Sequence, residues 1–190
     1  IWNDVQKLSV ESSLEIEGTL KEDKRAPTGY EVQVKNLTLI HAAERFPITK
    51  DQSEEFLLDK RHLWIRSREL TAVWKVKAQV LKACRDFFEE KKFYEVTPPI
   101  ITGSSCEGGS TLFEMKYFKD KAYLSQSAQL YLEALIFSLK KVWSLTPSFR
   151  AEPSKTSRHL TEYLHLEAEA AWMTFEELLK FEEELISHIA

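Results

Sequence analysis

The chain has 190 residues and a formal net charge of -4, long enough for one or two domains with a sizeable core. Hydrophobic residues make up 43% and charged residues 29%, which excludes an intrinsically disordered chain. Only 5 glycines and 6 prolines exclude fibrous and low-complexity classes. Cys84 and Cys106 are the two cysteines. They cannot make a disulfide framework and sit in no CxxC or Cys/His pattern, so a reducing compartment, the cytoplasm, is expected. No apolar run approaches the ~20 residues of a membrane span. Glu176, Glu177, Glu182, Glu183 and Glu184 against Lys180 account for the whole net charge. The remainder is balanced, and any nucleic-acid contact must use a local patch.

Residues 1 to about 45 read as short strands. Leu14 to Leu20 alternates apolar and polar, the period of a half-buried strand. Lys21 to Gly29 is a charged turn region punctuated by Pro27 and Gly29. Tyr30-Glu31-Val32-Gln33-Val34 alternates again, slips at Asn36 and resumes at Leu37, which predicts a bulge. Such a hairpin buries too little to stand alone. Residues 46–68 carry few regular signals and read as a hinge, with Asp51 to Asp59 helix-permissive.

From Glu69 the period becomes 3.6. Val73, Val76, Val80, Cys84 and Phe87 fall on one stripe of a helix that should stop near Lys92. Phe93 to Val96 has strand propensity, and Pro98-Pro99 forbids helix. A second helix is predicted from Ser127 to Leu139. Lys141 to Phe149 and Tyr163 to Met173 read as strands of a long-looped hairpin. Thr174 and Glu177 make a capping box for a last helix. Ile1 is neither an initiator Met nor part of a signal peptide, and the last helix has an apolar face that meets nothing downstream. Both ends of the chain are therefore expected to be cut.

The hairpin carries the most suggestive chemistry. Arg150 and Glu152 are predicted to share a strand face, followed by Lys155, Arg158 and His159, then Glu162 and Tyr163. A guanidinium that grips phosphate with a bidentate fork, further loop cations and an aromatic face suit a nucleoside triphosphate. Taken alone, a solvated surface hairpin explains these residues as well. Cys106-Glu107-Gly108-Gly109-Ser110 alone is an ordinary loop. His62 and His165 read as structural histidines, and Cys84 as a core residue.

Order changes the weighing. Lys92-Phe93-Tyr94-Glu95-Val96-Thr97-Pro98-Pro99 resembles the first signature of class II aminoacyl-tRNA synthetases. Phe149-Arg150-Ala151-Glu152, with Arg158-His159 and Glu162, resembles the second. Between them lie Glu107-Gly108-Gly109-Ser110 and Gln126-Ser127-Ala128-Gln129-Leu130-Tyr131. The set is similar to the aspartyl/asparaginyl subgroup of archaeal and eukaryotic type. Lys24-Arg25-Ala26-Pro27, Gly29-Tyr30-Glu31 and Arg61-His62-Leu63-Trp64 resemble its anticodon-domain end and hinge. One departure is Lys92, where the signature usually has glycine.

The resemblance implies an α+β fold. Part of an OB-type β-barrel anticodon-binding domain (1–45) and a hinge (46–68) would precede the N-terminal part of a class II antiparallel catalytic sheet with flanking helices (69–190). It implies ATP and magnesium, with the magnesium ligands downstream of Ala190, and tRNA as a partner. It also implies a homodimer with Pro99 at its interface, and no membrane. By the same resemblance Glu107 and Gln129 hold the substrate ammonium. Arg150 bridges the substrate carboxylate and the α-phosphate, Glu152 meets the adenine or the acceptor end, Arg158 and His159 meet the ATP tail, and Tyr163 stacks on adenine. The third class II signature, a Gly-rich segment ending in Glu-Arg, does not occur, so the chain alone is not expected to charge tRNA.

Within the subgroup, the position where aspartate enzymes carry a lysine is Leu132, and that lysine's acidic partner is Glu167. An aspartate side chain would meet no cation there and a carboxylate instead, at a cost of several kcal/mol. A carboxamide can donate to Glu167. Asparagine, with tRNA(Asn), is therefore the expected substrate pair. An aspartate enzyme, an asparagine-synthetase relative on the same core and a non-catalytic module remain the alternatives.

Overall fold

The computed structural model describes residues 2–103, 112–153, 156 and 158–190. The chain divides into two compact units, 1–73 and 74–190.

The first unit opens with a one-turn helix, α1 (Trp2–Val5). A two-stranded antiparallel hairpin follows, β1 (Ser13–Glu22) with β2 (Tyr30–His41). Its register runs Glu17 to Asn36 and then Gly18 to Val34, so Lys35 is the extra residue of a bulge. This is the slip that the alternation predicts. Gly18 is required there, because a Cβ would come within 2.4 Å of the Gln33 carbonyl oxygen. Among the described residues no barrel closes around this hairpin. The stretch read as hinge contains two short helices, α2 (Glu54–Asp59) and α3 (Arg61–Trp64). Ser53 caps α2, accepting the Phe56 N–H at 3.2 Å.

The second unit is built around a sheet of order β3 (Tyr94–Glu95), β7 (Lys141–Phe149), β8 (Glu162–Ala170). β7 and β8 pair antiparallel from Lys141–Ala170 to Phe149–Glu162, whereas the short β3 pairs parallel to β7. Period-two alternation gives this sheet two unlike faces. One carries Trp143 and Leu145 beside Leu166. It packs with Phe87 and Phe88 at the end of α4 (Arg68–Glu90), with Phe93 just beyond that helix, and with Phe181 and Leu185 of α6 (Phe175–Ile189). Phe88 stacks on Trp143 with centroids 4.5 Å apart. α6 starts in the predicted capping box, Thr174 N–H donating to Glu177 at 2.8 Å and Glu177 N–H to Thr174 Oγ1 at 3.3 Å.

The other face is polar for most of its length. Its Val142 end is covered by Ala128 and Leu132 at the start of α5 (Gln129–Leu139), and Ser144 and Ser148 along β7 are buried as well. The stripe predicted for α4 holds only in its second half. Cys84 and Phe87 are buried, whereas Val73 and Val76 are more than half exposed.

A second sheet, of order β4 (Ile101–Thr102), β6 (Asp120–Leu124), β5 (Glu114–Tyr117), was not legible in the sequence. Its two-residue turn has no glycine or asparagine, the usual hairpin signal. Phe118 takes the left-handed position instead, at φ 53°.

Candidate active site

The polar face brings together several of the residues singled out in the second half of the chain. Ser148, Tyr163, His165 and Glu167 lie on it by strand parity. Arg150 follows directly after β7, its N–H bound to the Thr161 carbonyl at 2.9 Å. β7 ends at Phe149, so the expected shared strand face of Arg150 and Glu152 is a misreading. Arg150 is one residue past the pairing, and Glu152 precedes Pro153, which cannot donate to a ladder.

A chain of contacts crosses the face. The Arg150 guanidinium stands over the Tyr163 ring at 5.8 Å. Tyr163 meets the His165 ring with centroids 5.4 Å apart. His165 Nδ1 lies 3.1 Å from Ser148 Oγ and 3.4 Å from Glu167 Oε2. Glu167 receives the Ser127 hydroxyl on Oε1 and the Ala128 N–H on Oε2, the latter at 2.9 Å. Ser127 also accepts the Gln129 N–H at 3.1 Å. The Gln129 side chain donates to Glu133 at 2.8 Å, which turns its carbonyl away from that partner.

Phe149 N–H donates to the Ser125 carbonyl at 3.0 Å. That bond ties the segment before α5 to the end of β7 and brings Ser127 and Gln129 beside the strands. A third carboxylate, Glu169, continues the row. Burial raises its pKa above the usual carboxylate range, and the neighbouring charges of Glu133 and Glu167 push it further in the same direction.

Leu132 lies one turn into α5, in the apolar cluster with Ala128 and Val142, and is fully enclosed. Ala128 links it to Glu167: its carbonyl accepts the Leu132 N–H at 3.1 Å, and its own N–H binds Glu167. Glu152, Arg158 and His159 are exposed on the connection between β7 and β8. His159 Nδ1 is hydrogen-bonded to Thr156 Oγ1. Pro99 is exposed between β3 and β4. Glu107, with its neighbours Cys106 to Ser110, and Lys155 lie outside the described residues.

Reading the sequence gave Ser127 no role beyond its place in the Gln126–Tyr131 motif, did not single out Ser148 and Glu133, and took His165 for a structural residue. The alternation through Glu167 was the available signal, since a period of two places residues 163, 165, 167 and 169 side by side. The same period-two signal exists for Ser148, since Trp143 to Phe149 alternates and sets Ser144, Thr146 and Ser148 on one face.

The arrangement offers a guanidinium beside an aromatic face at one end and a hydrogen-bonded carboxylate at a helix start at the other. That suits a small ligand with an anionic end and an uncharged, donor-bearing end. Residues 53–190 match the family model described as tRNA synthetases class II (D, K and N). The chain belongs to that family.

Within it, the chain is 57% identical over 188 residues to the asparagine–tRNA ligase of Thermococcus gammatolerans. That match takes in 99% of this chain and 44% of the relative. The asparaginyl-tRNA synthetase of Pyrococcus horikoshii complexed with asparaginyl-adenylate superposes with a TM-score of 0.93. It is 53% identical, over 98% of this chain and 44% of that one. The Entamoeba histolytica asparaginyl-tRNA synthetase superposes with a TM-score of 0.87 at 38% identity, over 98% and 45%. The chain thus spans a little under half the length of these relatives. Among the described residues no helix is long and apolar enough to cross a membrane.

Proposed function

We propose that this chain is the part of an asparagine–tRNA ligase that selects asparagine and forms its adenylate. In the first step a carboxylate oxygen of asparagine attacks the α-phosphorus of ATP and pyrophosphate leaves. In the second, a hydroxyl of the terminal adenosine of tRNA(Asn) attacks the carbonyl of asparaginyl-adenylate and AMP leaves. The protein's work is positioning and charge stabilisation.

Arg150 holds the oxygens shared by the substrate carboxylate and the α-phosphate, where negative charge collects. Tyr163, already beneath the Arg150 guanidinium, offers the aromatic surface for adenine. Arg158 and His159 meet the triphosphate tail, and Glu152 the adenine or acceptor end. Gln129, oriented by Glu133, and Glu107 hold the substrate ammonium. Magnesium belongs with the ATP. Among the described residues no group of three or more His, Cys, Asp or Glu side chains is placed to hold a metal ion, so no step is assigned to it. An OB-type domain around the β1–β2 hairpin, a homodimer using the segment around Pro99 and a cytoplasmic location complete the proposal.

One observation carries the choice of asparagine. Glu167 stands on the site face as an acceptor, and the neighbouring position that would hold a cation is the enclosed Leu132. A carboxamide brings a donor to Glu167, whereas an aspartate carboxylate brings a second negative charge with no counter-ion. Amino-acid-dependent pyrophosphate exchange on the full-length protein tests it. Asparagine should be preferred over aspartate by on the order of 10² or more in kcat/KM, the equivalent of a few kcal/mol. Equal exchange with the two amino acids removes the proposal.

A further inference from the structure

Glu167 is held from three sides. Ser127 and the Ala128 N–H reach it from the start of α5, and His165 brings Nδ1 to 3.4 Å from Oε2. His165 is two residues earlier on the same strand face, so its ring lies alongside the carboxylate. A carboxylate has about four acceptor positions. Two hydrogen bonds, one to each oxygen, and the His165 nitrogen beside Oε2 account for three of these positions and leave about one for a ligand.

The imidazole's own neighbours bear on its tautomer. Nδ1 lies 3.1 Å from the hydroxyl of Ser148, which is 1% exposed, as well as facing Glu167. A bare Nδ1 would set a lone pair against the carboxylate. With the proton on Nδ1, the N–H faces both Glu167 and Ser148 and Nε2 keeps the lone pair; the tautomer is assigned from these neighbours. Ser148, which pairs with Tyr163 across the strands, and the Tyr163 ring, 5.4 Å away, limit the rotation of the imidazole.

We propose that His165 is a positioning and specificity residue for amino-acid selection, its Nδ1–H holding Glu167 so that the remaining lone pair meets the substrate carboxamide. The inference rests on the asparagine reading above. It adds that Glu167 discriminates fully only while all three contacts hold: without the Nδ1–H, Oε2 keeps the Ala128 N–H but the carboxylate tilts more easily away from an incoming acid.

The test uses three variants of the full-length protein, with pyrophosphate exchange measured against asparagine, aspartate and ATP. His165→Phe keeps the ring volume and removes both nitrogens. It should raise the KM for asparagine by about tenfold, leave the KM for ATP within about twofold, and narrow the asparagine-to-aspartate preference. His165→Asn places an amide N–H near the Nδ1 position and should stay within about threefold of the parent. His165→Gln places its amide near Nε2 and should behave like the Phe variant. Equal impairment of the Asn and Gln variants overturns the proposal, as does a Phe variant that raises both KM values alike. If the Phe variant does not fold, the contrast between Asn and Gln decides. A parent enzyme that does not distinguish asparagine from aspartate counts against the asparagine reading instead. The Asn and Gln variants then still report, through the KM of the amino acid used, whether the Nδ1–H holds Glu167.

Discussion

Glu167 caps a helix from a different element: its Oε2 accepts the N–H of Ala128, the residue at the N-cap of α5, at 2.9 Å. An alanine there has no side chain with which to cap the helix, and Ser127 before it accepts the Gln129 N–H, which leaves the Ala128 N–H for another acceptor. The carboxylate from β8 supplies that cap. It also places negative charge where the helix dipole favours it. The same residue therefore serves the fold and the proposed specificity.

This double role predicts that two substitutions at 167 separate. Glu167→Ala removes the cap and should destabilise the protein by about 1–2 kcal/mol, read as a lower midpoint in urea. Glu167→Gln keeps an acceptor for Ala128 and a donor that Ser127 can accept, so it should lose less than half as much. If Ala and Gln prove equally destabilising, the cap is not what the carboxylate contributes.

Lys92 occupies the left-handed position that ends α4, at φ 62°. The Lys92 N–H reaches the Glu89 carbonyl at 2.9 Å and the Phe93 N–H reaches the Phe88 carbonyl at 2.9 Å. The Phe93 and Phe88 rings meet edge-on with centroids 5.3 Å apart. This is the Schellman arrangement with its hydrophobic contact, and glycine is its usual residue. A side chain at such a φ costs roughly 1–2 kcal/mol, part of which glycine gives back through its freer unfolded chain. Lys92→Gly should therefore stabilise by about 0.5–1 kcal/mol. A midpoint that falls instead would show that Lys92 makes compensating contacts.

Much of this fold was legible because local and tertiary signals agreed. Lys141–Phe149 was bounded by the polar loop that follows it, the α6 capping box was marked by Thr174 and Glu177, and the β2 bulge by its broken alternation. The β5–β6 hairpin was hidden because Phe118 sits where turn chemistry calls for glycine. The exposed half of the α4 stripe shows that periodicity reports a face, not what covers it. At the site, Arg150, Gln129 and Glu167 were found through the resemblance. The Ser127–Glu167–His165–Ser148 connection was not, since it joins residues up to 40 positions apart through pairing that no single segment encodes.

Glu169 gives the protein a pH dependence whose sign can be worked out. Burial, then the charges of Glu133 and Glu167, raise its pKa above the usual 4.5. A carboxyl raised in the folded state binds its proton more tightly there than in the unfolded chain. Its favourable contribution is complete below about pH 4.5 and is lost as pH rises through the folded-state value. At neutral pH the charged Glu169 is therefore a net cost, and the neutral Glu169→Gln removes it. The variant should be more stable than the parent at pH 7, by no more than about 1 kcal/mol because the carboxyl keeps some contact with water. The gap should close as pH falls toward 4. Thermal unfolding of both proteins across pH 4–8 checks this. A variant less stable at pH 7, or an advantage that grows in acid, would show that Glu169 is held by favourable partners rather than strained by its neighbours.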